Sequence, residues 1–158
     1  MLTKNGKVRA LSHRLTLGAL LFSNLVFIFL NSLTPAAVSA GNSQGVFAAL
    51  SKIFGFLPFF THTFVRKAAH FAEYALLGFL SFLFPRVFLS DDRRGYLLAF
   101  AFGLLIPLFD ELLQSLVPGR SPAVFDWLID VFGFLFGLLL SFLFQLLKNR
   151  KRGTHKGI

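Results

Sequence analysis

The sequence predicts an all-α integral membrane protein: a bundle of four spanning helices with both termini cytoplasmic. Three observations predict it. The 158-residue chain is 55% hydrophobic, with a mean hydropathy of +0.69, too apolar for an ordinary soluble domain of this size. Its apolar residues gather into four runs, 15–33, 64–84, 95–116 and 124–147. Each is near the length of about 20 residues that carries a helix across a bilayer. The basic residues then alternate between the two sides of those runs.

Lys4, Lys7, Arg9 and Arg14 precede the first run, Arg86, Arg93 and Arg94 separate the second from the third, and five lysines and arginines follow the fourth. The other two connections hold only Lys52 and Arg120, with Arg66 and Lys67 at the entry of the second run. Cytoplasmic segments are enriched in Lys and Arg, so both termini are expected inside and the first and third loops outside. The net charge of +9 is thereby assigned to membrane topology and anionic lipid headgroups, not to nucleic acid. The expected organisation is a basic cytoplasmic N-terminus over 1–14, a membrane domain over 15–147 and a basic cytoplasmic tail over 148–158. There is no cysteine, which excludes disulfides and thiol chemistry.

Taken in order, the first run is followed by "TPAAVSAGN", in which "VSA" resembles a signal-peptidase site. The run is longer than the usual core of a signal peptide, so the helix is expected to be retained. The stretch "TPAAVSAGNSQG" is small, polar and turn-prone. After it, Phe47, Leu50, Ile53, Phe54 and Leu57 stand at helical spacing, predicting a short interfacial helix in the first outer loop. "SDDRR" at 90–94 reads as a charged inner turn, and 148–158 as a disordered tail. Pro107 predicts a kink in the third helix. Gly133 and Gly137 form a GxxxG on the fourth, which allows a close neighbour. His13, His62 and His155 read as solvated surface residues, and Tyr96 and Trp127 as interfacial aromatics.

The polar residues carry the functional signal. Of seven acidic residues, five fall within or beside predicted spans: Glu73, Asp110, Glu111, Asp126 and Asp130. A charge at a helix centre costs about 2.5–3.5 kcal/mol on insertion scales, so it needs a reason. His70, Asp110 and Asp130 each lie about six residues from the outer end of their helix, or about 9 Å in depth. Glu73 is one turn deeper. Arg66, Lys67, Gln114, Arg120 and Asp126 are nearer the surface. Lys67, His70, Glu73 and Tyr74 share one side of the second helix, Asp110, Glu111 and Gln114 a stripe of the third, and Asp126 and Asp130 are an i, i+4 pair. Charges avoid lipid, so the stripes are expected to face one another around an outward-facing polar pocket.

"RKAAHFAEYALLG", "DELLQSLVPGR" and "DWLIDVFGFLFG", in this order and spacing, resemble the VanZ-like family of small bacterial membrane proteins. The match runs from Arg66 to Gly137. Many relatives carry an Asn within two positions after the last Asp, where this chain has Val131 and Phe132. The resemblance implies a multi-pass protein of the bacterial plasma membrane and a cell-envelope role. The founding member is linked to resistance to teicoplanin, a lipoglycopeptide that binds cell-wall precursors. Relatives also keep a first helix followed by a Ser-rich outer loop.

Three readings remain open. The pocket could serve an enzyme acting on a lipid-linked or envelope substrate, with His70 or Glu73 as proton acceptor, Asp110 or Glu111 as its partner, Asp130 in the same acid/base or polar set, and Arg66, Lys67 and Arg120 on a phosphate. It could bind a lipid-linked cell-wall precursor or glycopeptide without chemistry, with Tyr74, Gln114 and Asp126 completing the lining. Or the charges could be buried ion pairs that fix helix registry. No cofactor is expected. His70 with carboxylates is a conceivable metal-ligand set, but no close metal motif accompanies the one pocket histidine, and no metal is assigned from the sequence.

Overall fold

The computed structural model describes residues 4–89, 93–120 and 123–154. Five helices follow one another: α1 (Lys4–Leu33), α2 (Ala36–Phe54), α3 (His62–Phe88), α4 (Arg93–Ser115) and α5 (Val124–Thr154), with no strand among the described residues. Val8–Leu33 of α1, all of α3 and α4, and Val124–Arg150 of α5 are long and apolar enough to cross a membrane. The chain is an all-helical, multi-pass membrane protein. Its surface agrees: Phe22, Phe102, Phe132 and many other large apolar side chains face outward, which lipid tolerates and water does not.

Consecutive spans alternate in direction, so α3 and α5 run parallel. At one end Arg86 of α3 donates to the Tyr96 hydroxyl of α4 (2.8 Å) and lines a cavity with Asn149 of α5. At the other end, Arg120, just past α4, donates to the Asn31 carbonyl near the end of α1 (2.9 Å). The start of α1 and the end of α5 therefore lie at the first end, and α2 with the turn after α4 lies at the second, called here the α2 end.

The α3–α5 pair makes the largest interface, and glycines permit it. A Cβ on Gly137 would fall on the Ala75 carbonyl of α3, one on Gly133 would meet the Phe71 carbonyl, and one on Gly78 would fall on the Phe134 carbonyl of α5. The GxxxG thus does what its spacing suggests: two backbones approach directly. Phe134 then projects from α5 onto Gly103 of α4, whose missing side chain leaves room for the ring. Phe134 joins Ile28, Tyr74 and Leu77 in the core, with Leu104 and Ile106 of α4 against them. Tyr74 and Phe134 are fully buried, so the tightest packing lies directly below the polar residues.

Two expectations about local structure are corrected. The turn-prone stretch after Pro35 is helical from Ala36, so α2 covers 19 residues and not only its apolar second half. Ala36, Ala37 and Ala40 supply strong helix propensity that the interspersed Gly and Ser do not cancel. No residue of α2 is buried. It is tethered by Ser43 Oγ to His62 Nε2 (2.8 Å) and by Phe47 stacked on Phe60 (5.7 Å). His62 is thus engaged with α2 and is not simply solvated. The basic tail is also helical as far as Thr154, because Lys and Arg are themselves good helix formers. The inner turn at 90–92, Ser121 and His155 lie outside the described residues. Thr61 caps α3, accepting the Phe64 N–H at 3.1 Å, which sets where the polar stripe of that helix begins.

Candidate functional site

The site rises from the core along α3 and α5, turn against turn. Lys67, His70 and Tyr74 follow one another on α3, and Asp126, Asp130 and Phe134 on α5 at steps of four. At the rim, Lys67 Nζ meets Asp126 Oδ1 at 2.7 Å, with Arg66 3.8 Å from the same carboxylate. One turn deeper, His70 Nδ1 lies 4.0 Å from Asp130 Oδ1. Asp130 is only 2% exposed.

α4 brings Asp110 to the same level. Gln114, four residues on, donates to Asp110 Oδ2 at 2.8 Å. From α1, Ser32 Oγ donates to Asp110 Oδ1. Ligand atoms of His70, Asp110 and Asp130 lie within 4.8 Å of one another. The three residues that the depth argument put at one level on three helices therefore meet. Tyr74 closes the floor. Its hydroxyl is fully buried beside Asp110 but makes no normal hydrogen bond among the described residues.

Above this floor is a cleft of about 200 Å³ lined by Arg66, Lys67, His70, Gln114, Arg120, Asp126 and Asp130, with Ala36, Gly119, Ala123 and Ile129. A second cavity of about 190 Å³ shares Arg66, His70 and Arg120 with it and continues to Asn31, Glu73 and Ser43 beneath α2. Arg120 stands at their junction because of the turn before it. "VPGR" closes with the Arg120 N–H on the Val117 carbonyl at 3.1 Å, Pro118 at the second position and Gly119 at the third with φ +78°. That is a type II turn, which requires positive φ at its third residue. Partial burial and the neighbouring Arg66 pull the Arg120 pKa below its usual value, opposed by Asp110 and Glu111. A guanidinium starts so high that it stays charged. Gly119→Ala is expected to cost about 1–3 kcal/mol of stability through backbone strain and to displace Arg120. A melt of the purified variant checks the first effect.

Two predicted site residues are placed elsewhere. Glu111 is buried, but its Oε2 accepts the Ala123 N–H at 3.1 Å and so fastens the loop leading into α5. It does not line the cleft. Glu73 turns toward α1, where Asn31 Nδ2 donates to it at 3.0 Å, and Asn24 donates to its main-chain carbonyl at 3.4 Å. It reaches only the cavity beneath α2. Asn24, Asn31 and Ser32 are the residues that sequence reasoning missed. Their signal was a polar spacing of seven and eight residues within an otherwise apolar run, which puts all three on one helix face.

The model of the VanZ/LLP1 family matches residues 16–145. The chain belongs to the VanZ/LLP1 family. The match takes in every residue that lines the cleft, and it extends into α1, beyond the three quoted motifs. Comparisons with curated proteins and with solved structures give no match. Where many relatives carry an amide after the last Asp, this chain has Val131 and Phe132, and Phe132 is exposed. Amides reach acidic residues on helices other than α5 instead: Gln114 on Asp110 within α4, and Asn31 of α1 on Glu73 of α3.

Proposed function

We propose that this VanZ-family protein binds the phosphate-bearing headgroup of a lipid-linked cell-envelope ligand, such as a cell-wall precursor, in the cleft at the α2 end, and that this end faces outward from a bacterial plasma membrane. One observation carries the reading. Arg66, Lys67 and Arg120 converge on a single cleft at one end of a membrane-spanning bundle, where lipid headgroups would lie. Arg and Lys are the side chains that recognise phosphate, Arg by a planar pair of donors. Arg120 spends one donor on Asn31 and keeps the rest of its fork.

The binding test uses the full chain in nanodiscs and a polyprenyl phosphate as probe. Arg120→Gln is expected to weaken binding by about 10-fold or more, the scale of one charge-assisted contact. Equal binding by wild type and Arg120→Gln would sink the proposal. In cells, the family points to a teicoplanin phenotype. Wild type expressed in a susceptible Gram-positive host is expected to raise the inhibitory concentration of teicoplanin, and Arg120→Gln at matched membrane level is not.

Orientation has its own check. The chain has no cysteine, so Gln44→Cys should react with a membrane-impermeant maleimide in intact cells, and Asn149→Cys only after permeabilisation. The reverse pattern would turn the cleft to the cytoplasm. A second reading has one specific observation in its favour: the Lys67–Asp126 contact joins α3 to α5 and suits a registry-fixing ion pair. On that reading, exchanging the two residues preserves the melting temperature, and no cleft substitution alters ligand binding.

A further inference from the structure

We infer that His70, Asp110 and Asp130 form a three-ligand site for a divalent first-row metal ion such as Zn²⁺ or Mn²⁺ at the floor of the cleft. The first support is donor type and geometry. One imidazole and two carboxylates come from three different helices, with ligand atoms within 4.8 Å of one another. Ligands about 2.1 Å from a tetrahedral ion stand about 3.4 Å apart, so the set needs to draw together by up to about 1.4 Å, a movement that side-chain rotation can supply. Imidazole with carboxylates suits Zn²⁺ and Mn²⁺ better than Mg²⁺ or Ca²⁺, which prefer oxygen throughout.

The second support is charge. Arg66 and Lys67 reach Asp126, and Arg120 turns to the Asn31 carbonyl. Among the described residues, no lysine or arginine pairs with Asp110 or Asp130. Two carboxylates that are 1% and 2% exposed share one small volume without a cationic side chain in contact. Buried charges of that kind are paired or coordinate metals, and one divalent ion balances both.

The third support is a pair of buried polar atoms, one beside the trio and one within it, that lack an ordinary hydrogen bond among the described residues. The Tyr74 hydroxyl is fully buried, close enough to Asp110 to interact with its carboxylate and within electrostatic reach of Asp130, yet it makes no ordinary hydrogen bond among the described residues. It suits a donor to a metal-bound carboxylate or water. Asp130 Oδ1 is likewise buried without a hydrogen bond among the described residues. Asp110, by contrast, is already oriented. Ser32 takes one oxygen and Gln114 the other, and each oxygen keeps a further lone pair. Such outer partners commonly hold metal-ligating carboxylates in place. His70 and Asp130 also line the cleft, so coordination positions left open by the protein would face the space beneath Arg66, Lys67 and Arg120.

The inference stands apart from the phosphate reading, because the ion is tested with no lipid phosphate present. Full-length protein without a polyhistidine tag is purified in detergent, stripped with EDTA and titrated with ZnCl₂ by calorimetry and with MnCl₂ by electron paramagnetic resonance. About one ion per chain is expected, retained in excess MgCl₂. His70→Ala and Asp130→Asn should abolish binding, and Ser32→Ala, a positioning residue, should weaken it about 10-fold. No binding by wild type, or binding unchanged in all three variants, overturns the site. Should the variants not fold, wild type decides alone: spin-echo modulation of bound Mn²⁺ by a nitrogen nucleus supports His70 as a ligand, and its absence overturns the assignment.

Discussion

Gly137→Val is expected to abolish recovery of folded, monodisperse protein. In the native pairing, a Cβ at this position would lie on the Ala75 carbonyl, with the Phe79 N–H close behind. Both neighbours are helix backbone, which cannot rotate aside as a side chain can. The helices would have to separate. Overpacking in a closed core typically costs about 1–3 kcal/mol and occasionally more. Here the damage would also spread, since Phe134 would withdraw from Gly103 and the Lys67–Asp126 and His70–Asp130 pairs above it would part. Gly41→Ala is the matched control, because a Cβ at Gly41 meets nothing within 4 Å. That change should leave size-exclusion profile and melting temperature intact or slightly raise the latter through helix propensity. Equal melting temperatures for Gly137→Val and wild type would mean that the α3–α5 contact is not as close as described.

The second large effect is expected from loss of α1. A chain beginning at Gly41, as cleavage after "VSA" would produce, should give no stable bundle. It lacks Ile28 from the core and Asn24, Asn31 and Ser32 from the polar layer. Glu73 would lose its amide partner, Asp110 would lose one of its two donors, and both would turn toward lipid. An acidic side chain at that depth costs about 2.5–3.5 kcal/mol on insertion scales, and two of them approach the whole stability of a small domain. Supplying residues 1–40 as a separate membrane peptide should restore the bundle in part. A chain from Gly41 that melts like the full protein would show that α1 is dispensable.

Much of this arrangement was legible in the residues. Four spans were countable because the bilayer fixes their length. The meeting of His70, Asp110 and Asp130 was legible because helix rise converts sequence position into depth, and because charges avoid lipid. The sequence did not say which way each side chain turns around its helix. Glu73 and His70 are three residues apart on α3, yet one serves α1 and the other α5. Glu111 follows Asp110 directly and is consequently rotated away, onto the loop before α5. Asn31 and Ser32 were hidden for another reason: uncharged polar residues in an apolar run cost little, so they do not stand out as a charge does. The helical character of 36–45 was obscured because Ala, Ser and Gly are shared by turns and by lightly packed helices.

The pairing of α3 with α5 has a consequence for how the protein is made. Partners that are neighbours in space but separated by a whole spanning segment in the chain cannot meet early. α3 leaves the ribosome with Arg66, Lys67, His70 and Glu73 in its leading half, and its hydropathy of 1.4 is the lowest of the four spans. Asp126, Asp130 and the glycines that receive it arrive only with the last span, which at 2.2 is the most apolar. The segment least suited to lipid must therefore wait for the one best suited to it, held meanwhile by α1 or by the insertion machinery. The α3–α5 pair is therefore expected to close only after α5 has entered the membrane, and the polar site to be completed in that same step.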